Sequence, residues 1–218
     1  MIRVVGIFLF LFTSLPLFAW QQGGELVFTA SEHLGRAEEH VATENYDSAL
    51  YYCLQAFQTA PSFREVYITW HKVYEAMGAE SSLKIKNIKA GQQVSQEDEE
   101  LAYYLAQVYE KEARYEEAIA EYTQAIAYSQ AHEGEVEFLY YYYTGRATSQ
   151  LKSRHFEEAI ADFTSALDLR PESTVALINR GYCFYNAKKK EEACADWRKA
   201  KDLGGKAAST YLEKYCFE

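Results

Sequence analysis

The chain has 218 residues, with 22 Lys and Arg against 32 Asp and Glu, so its formal net charge is -10 at pH 7. This acidic balance argues against a nucleic-acid partner, because the phosphate backbone attracts basic surfaces. The length suits one continuous structure rather than two separate globular domains.

The N-terminal residues have the pattern of a secretory signal peptide. Arg3 is followed by an uncharged apolar stretch, residues 4–18, and then by the small residue Ala19. The stretch is shorter than the roughly 20 residues of a membrane-spanning helix. We therefore predict a signal peptide over residues 1–19 and a short linker over residues 20–29. The chain is then exported, most simply to a periplasm, with secretion or an uncleaved N-terminal segment as alternatives.

Small residues recur in register along the rest of the chain. Small or aliphatic residues, called anchors below, stand 34, 35, 41 and 34 residues apart at Ala49, Leu83, Ala118, Ala159 and Ala193. The residue seven positions after each anchor is alanine in every case: Ala56, Ala90, Ala125, Ala166 and Ala200. Twelve positions before the anchors stand mostly small residues, Ala37, His71, Ala106, Ala147 and Gly181. Such spacings indicate helices with one buried face, so we predict five stacked helix-turn-helix units.

The predicted units cover residues 30–63, 64–97, 99–132, 140–173 and 174–205, and a helix over residues 206–218 is expected to cap the stack. The fourth anchor comes seven residues later than a regular 34-residue spacing would place it, which is nearly two helical turns. We expect these residues to lengthen the helices around Ser129 to Tyr143, with Gly134 at the break between them. A widened groove or a bend is the alternative.

The last three units resemble tetratricopeptide repeats. The family's small, aromatic, alanine and proline positions are filled in the fourth unit by Arg146-Ala147, Phe156, Ala159, Phe163, Ala166 and Pro171. The third unit matches at Tyr115, Ala118, Tyr122 and Ala125, and the fifth at Gly181, Ala193, Trp197 and Ala200. The resemblance implies an all-α, right-handed α-solenoid that binds peptides or proteins.

The second unit departs from this pattern. His71 and Leu83 replace small residues there, and Asn87 stands four positions after the anchor, where the last three units have an aromatic residue. We therefore expect irregular packing in the first two units, and in the second above all.

A binding groove is predicted from the phase of the first helix of each unit, which lines the concave side in this architecture. The partner-binding candidates are Tyr103, Gln107 and Glu110 in the third unit, Tyr141, Thr144, Thr148 and Leu151 in the fourth, and Ile178, Tyr182 and Tyr185 in the fifth. Their aromatic and aliphatic side chains suit an extended peptide or a partner helix. Core packing of the same tyrosines is the alternative. Asn179 occupies a place that some family members use to hold a terminal carboxylate, but no matching Lys or Asn precedes it.

Four cysteines are present, and export would allow them to pair. Cys53 lies in the first unit, far from the others, whereas Cys194 follows the fifth anchor and Cys216 lies in the capping helix. We predict a Cys194–Cys216 bridge, which would stabilise by roughly 3 kcal/mol in the chain-entropy model. The alternative is that all four are buried free thiols. No Cys or His pair has the spacing of a metal site, and no cofactor is expected.

The sequence contains no nucleophile elbow, phosphate-binding glycine loop or zinc-protease motif. We therefore expect a non-enzymatic, exported scaffold that binds a protein or peptide. A structural subunit of an envelope assembly and a glycan or small-molecule binder are the alternatives. Charge is uneven, with twelve acidic and two basic residues from Glu97 to Glu137 but nine basic and six acidic from Thr174 to Glu218. A solvated outer face explains this pattern, and attraction between opposite ends or docking of a basic partner is the alternative.

Overall fold

The architecture was taken from a computed structural model that describes residues 15–132 and 136–216. Within these ranges the chain forms eleven α-helices and no β-strand. Contacts divide the chain into two units, Met1–Ser95 and Gln96–Glu218. The fold is an all-α solenoid of helical repeats, as predicted. Among the described residues, no helix combines the length and the apolar character needed to cross a membrane.

The first unit contains α1 (Leu15–Ala42), α2 (Tyr46–Thr59), α3 (Arg64–Ala76) and α4 (Ser81–Val94). Successive helices pack against each other, and α1 also contacts α3. One buried cluster of this unit contains Ala37, Ala49, Cys53 and Val73. Residues 20–29, expected to form a linker, lie within α1 instead. The predicted signal segment lies mostly outside the described residues, because α1 begins at Leu15.

The second unit contains α5 (Glu99–Lys111), α6 (Tyr115–Ala131), α7 (Val136–Lys152), α8 (Phe156–Leu169), α9 (Thr174–Asn186), α10 (Lys190–Asp202) and α11 (Lys206–Tyr215). Asp98 and Ser173 cap α5 and α9 by accepting hydrogen bonds from backbone N–H groups of the first turn. Helices α6 and α7 have 17 residues each, against 13 or 14 in the other repeat helices of this unit, so the extra residues lengthen both helices as expected. Gly134 lies outside the described residues.

Small residues of the first helices face large residues of the second helices. A Cβ added at Gly181 would lie 2.6 Å from Nε1 of Trp197, and one added at Gly145 would overlap the ring of Tyr122. Trp197 is fully buried and donates its indole N–H to the Ile178 carbonyl at 3.1 Å. These contacts let neighbouring helices approach closely, as the small residues of the pattern predicted.

Two ion pairs recur at the same repeat positions and were not predicted. Arg146 on α7 makes a bidentate pair with Asp162 on α8, with both N···O distances at 2.7 Å. Arg180 on α9 pairs with Asp196 on α10 in the same way at 2.8 Å. Each arginine also donates to a threonine of the preceding second helix, Thr123 or Thr164. The pairs therefore join both helices of one repeat to the repeat before it.

The buried face of the second helix in the second repeat differs from the prediction. Leu83, taken as its anchor, is 45% exposed, whereas the neighbouring Lys84 is only 7% exposed. The buried face of α4 consists of Lys84, Ile88 and Gly91, one residue later than predicted, and Ala90 is half-buried. The Lys84 Nζ lies 3.0 Å from Glu75 Oε1 on α3, so an ion pair offsets the burial of the ammonium group.

The turn between the two helices of every repeat contains one residue in the left-handed backbone region. Its φ lies between 56° and 67° at Glu44, Gly78, Ala113, Arg154 and Lys188, each five residues before the predicted anchor. In the last turn the Lys189 N–H donates to the Phe184 carbonyl at 2.9 Å, and the Lys188 N–H to the Tyr185 carbonyl at 3.1 Å. This pattern is a Schellman motif, which closes the C-terminus of the first helix.

Helix α11 covers the end of the second unit. Ala208 and Leu212 are buried, and the ring of Tyr211 stacks on Trp197 with centroids 5.1 Å apart. The Tyr215 ring lies 4.4 Å from that of Tyr185. The structure joins Cys194 to Cys216 by a disulfide with Cα atoms 6.0 Å apart, the pairing that the sequence favoured.

Candidate functional site

The first helices of the last two repeats and α11 border a cavity of about 520 Å³. We call it the α7–α9–α11 groove. Its lining comes from the end of α7 and the turn after it (Leu151, Lys152, Arg154), the start of α8 (Phe156), one face of α9 (Asn179, Tyr182, Asn186) and α11 (Tyr211). The groove thus combines side chains that stand far apart in the sequence.

The aromatic wall of the groove rests on the core. The Tyr182 ring meets the Tyr211 ring edge-on at 6.2 Å, and Tyr211 in turn stacks on the buried Trp197. The α11 helix that carries Tyr211 ends at Cys216, which is bonded to Cys194 on α10. The tyrosine wall is therefore held in place by stacking and by a covalent link, and offers a preformed surface for apolar groups.

The polar lining is rich in hydrogen-bond donors. Asn186 donates from Nδ2 to the Tyr182 carbonyl at 2.8 Å, which fixes the orientation of its amide. Asn179 makes no hydrogen bond with any described residue, so its amide faces the groove with both donor and acceptor free. Lys152 and Arg154 add two positive charges at one edge. Among the described lining residues none is acidic.

The predicted partner-binding residues are distributed over several environments. Leu151 and Tyr182 line the groove. Thr144 and Thr148 are half-buried and donate their hydroxyls to carbonyls of their own helix, at Tyr140 and Thr144. Ile178 and Tyr185 pack against the core that contains Trp197.

The candidates of the third repeat form a hydrogen-bonded cluster. Gln107 donates to the Tyr103 hydroxyl at 2.9 Å, and Tyr122 donates its hydroxyl to Glu110 at 2.9 Å. Burial raises the pKa of Tyr103 and that of Tyr122, and the nearby Glu110 carboxylate raises both further. The Tyr103 ring also lies 5.1 Å from that of Tyr142. These side chains mainly contact each other, which is the core-packing alternative for the same tyrosines.

Tyr141 contacts Arg170, which lines a second cavity, of about 630 Å³, at the turn between α8 and α9. The Arg170 guanidinium, which lines this cavity, stacks over the rings of Tyr140 and Tyr141 at 4.2 and 4.7 Å. It also donates to the Tyr141 hydroxyl at 3.2 Å and to Glu137 at 3.0 Å. The Arg170 charge is therefore already satisfied within the protein, and we take the α7–α9–α11 groove as the better candidate.

Sequence reasoning did not select Lys152, Arg154, Phe156, Asn186 or Tyr211 as binding residues. Lys152 and Asn186 occupy equivalent positions, seven residues before the fourth and fifth anchors, so a search at that position would have found both. Arg154 lies in the turn after α7, and Tyr211 lies on α11. Their place in the groove depends on how the turns and α11 fold back over the repeats.

Comparisons with known proteins agree with this architecture. Residues 144–208 match the sequence model of the family described as tetratricopeptide repeat. A crystal structure of MamA protein shares the fold at 16% identity, with a TM-score of 0.69 over 87% of this chain and 97% of that one. MamA 41-end from Desulfovibrio magneticus RS-1 gives the same TM-score of 0.69 at 14% identity, over 81% of this chain and 95% of that one.

YrrB, described as a TPR protein with an unusual peptide-binding site, has a TM-score of 0.69 at 16% identity and covers 84% of this chain and 90% of its own. No curated protein matches the sequence. At these identities the solved structures show a shared fold.

Proposed function

Since this chain has the tetratricopeptide repeat fold, with the repeat's sequence pattern over residues 144–208, we propose that it is a non-enzymatic scaffold that binds a peptide or protein segment in the α7–α9–α11 groove. The fold is one that serves protein–protein interaction. YrrB, with the same fold, is described as having a peptide-binding site.

The observation that carries the proposal is the composition of the groove. A free amide at Asn179 stands beside the aromatic rings of Tyr182 and Tyr211 in a cavity of about 520 Å³. A side-chain amide can donate a hydrogen bond to a peptide backbone and also accept one from it. Aromatic rings supply contact area at low entropic cost. A bound segment would therefore find backbone and side-chain contacts on one surface.

Selection from a random peptide library on the purified protein tests this proposal. We expect enriched peptides whose affinity falls about tenfold with Tyr182→Ala, because a central aromatic contact is typically worth more than 1 kcal/mol. Arg198→Ala, on the exposed face of α10, is the matched surface control and should leave affinity unchanged. If no peptide is enriched, or if Tyr182→Ala has no effect, the groove is not the binding site.

We further propose that the protein is exported and that residues 1–19 are removed. The apolar stretch after Arg3 and the Cys194–Cys216 pair support this proposal, because disulfides persist in oxidising compartments. N-terminal sequencing of the protein recovered from separate cell fractions is the test. We expect an exported form that begins at Trp20, and a form that keeps Met1 in the cytoplasmic fraction would contradict the proposal.

A further inference from the structure

We infer that the α7–α9–α11 groove recognises an acidic segment of a partner protein, with carboxylates held by Arg154 and Lys152. This inference rests on the proposed function and adds the chemical class of the bound segment. It is supported by the two cations of the groove, by the ion pairs that other arginines of the unit already form, and by the Asn179 amide of the lining.

Lys152 and Arg154, the cations of the groove, differ from three arginines of the second unit whose charges are paired. Arg146 and Arg180 each hold an aspartate in a bidentate pair, and Arg170 donates to Glu137. Lys152 and Arg154 form no ion pair with any described residue, although both line the same cavity. Their charges are therefore available to a ligand, and the fork of a guanidinium matches a carboxylate in geometry.

The rest of the lining favours the same ligand. The Asn179 amide adds N–H donors near the two cations, and the described lining contains no carboxylate that would repel an anion. Phe156, Tyr182 and Tyr211 add apolar surface to the same lining. A segment that contains both acidic and apolar residues fits this composition, since each kind of side chain finds its complement.

Basic residues are also favoured at these positions by the C-terminus of the helix. Lys188 serves as a control for that effect. Lys152 ends α7 and Arg154 follows it, where positive charge complements the helix dipole. Lys188 stands at the equivalent place after α9, with φ at 64° against 66° for Arg154. It has the same charge and backbone conformation as Arg154, but it is not part of the groove lining.

The test uses a fluorescent eight-residue peptide in which Glu alternates with Leu and Phe. We expect Arg154→Glu to weaken its binding at least about tenfold and Lys188→Glu to change it less than about twofold, because only a contact charge survives screening at 0.15 M salt. Glu44 shows that glutamate adopts the left-handed conformation, so both variants should fold. A peptide with Gln in place of Glu should bind at least about tenfold more weakly than the acidic one.

The outcomes separate the two proposals. Equal losses in the two variants would assign binding to diffuse positive charge and overturn the inference. If the Gln peptide binds as tightly as the acidic one, and Tyr182→Ala still weakens its binding, the proposed function stands and the acidic specificity is overturned. If none of these peptides and no library peptide binds, both fail. Self-association at low salt that Arg154→Glu abolishes would make a second copy of this chain the occupant and overturn the assignment to a different protein.

Discussion

The two helices pack closely in both the α3–α4 repeat and the α9–α10 repeat, but through different residues. In α9–α10, Gly181 faces the fully buried Trp197, and small residues fill the neighbouring positions. In α3–α4, the buried His71 stands where Gly181 does, and Lys84 occupies the buried position at the start of the second helix. The fold therefore needs close contact between the helices, but not one set of side chains.

The two repeats also differ in how polar groups are satisfied. The Asn87 side chain donates to the Tyr67 carbonyl at 2.8 Å, and Lys84 pairs with Glu75. Glu75 keeps 31% of its side-chain surface exposed. In α9–α10 the polar contact is the Arg180–Asp196 pair, whose side chains are 19% and 9% exposed. The Lys84 side chain is only 9% exposed, so each repeat holds an ion pair with one nearly buried partner, and loss of the opposite charge should be costly in both.

The largest expected effect is the loss of the Arg180–Asp196 pair. Asp196→Asn places an amide N–H₂ against a guanidinium that has little access to water, so we expect a loss of about 3 kcal/mol in the free energy of unfolding. Glu65→Gln in the solvated Arg64–Glu65 pair of the α3–α4 repeat is the contrasting change, and it should cost about 1 kcal/mol or less, because both side chains are at least 34% exposed. Urea unfolding followed by circular dichroism measures both. Equal losses would show that burial does not distinguish the two pairs.

Reduction of the Cys194–Cys216 bridge should destabilise the unit that contains α9–α10 and leave the other unit unchanged. The bridge closes a loop between residues 22 apart, so we expect a loss of about 3 kcal/mol in the chain-entropy model. Thermal unfolding with and without a reducing phosphine measures the loss. No change in the stability of the second unit would show that the bridge is absent from the protein or does not stabilise it.

Thiol labelling of the native, reduced protein provides the control for that experiment. Burial raises the pKa of the Cys183 thiol to about 12 and, with a smaller contribution from Glu38, that of Cys53 to about 12. Both thiols therefore stay protonated and shielded at pH 8. We expect a label on the half-buried Cys216 and none on Cys53 or Cys183, and four labels per chain in denaturant. Four labels on the native protein would show that the two units open in these conditions.

Substitution of glycines tests the close contact of helices directly. Gly181→Ala forces a Cβ into Trp197, which is held by its hydrogen bond to Ile178, so we expect a loss of about 1–3 kcal/mol. Gly35→Ala in α1 is the matched change, because no atom lies within 4 Å of its added Cβ. It should gain roughly 0.5–1 kcal/mol from helix propensity. A gain in both variants would mean that α9 can move away from Trp197 at little cost.

Much of the fold could be predicted because its signals are periodic. The paired helices, the two lengthened helices and the close contacts at Gly181 all follow from small residues at fixed spacings. The register of α4 could not be predicted, because a buried lysine carries no hydrophobic signal and depends on Glu75 of a different helix. A search for apolar residues selects Leu83, which is exposed.

The candidate site was less predictable than the fold for a related reason. Leu151 and Tyr182 could be selected, because they lie on regular faces of α7 and α9. Arg154 reaches the groove from a turn, and Tyr211 from the last helix, so their positions depend on tertiary packing. The pairing of Arg146 with Asp162 could not be predicted from the sequence either. The two residues lie on different helices, and each alone resembles an exposed surface charge.

The smallest expected effect concerns the turns that close the first helix of each repeat. The α3–α4 turn has Gly78 at its left-handed position, whereas the α9–α10 turn has Lys188. Lys188→Gly should gain about 0.5–1 kcal/mol, because glycine adopts this conformation without a Cβ penalty.

The reciprocal change, Gly78→Ala, should cost about 1 kcal/mol. No atom lies within 4 Å of its added Cβ, so the cost is that of backbone conformation alone, and Ala113 shows that alanine can occupy the position. Chemical unfolding of the two variants measures whether their effects have opposite signs. If Lys188→Gly also destabilises, the lysine must contribute more, through its favourable interaction with the C-terminus of α9, than its backbone conformation costs.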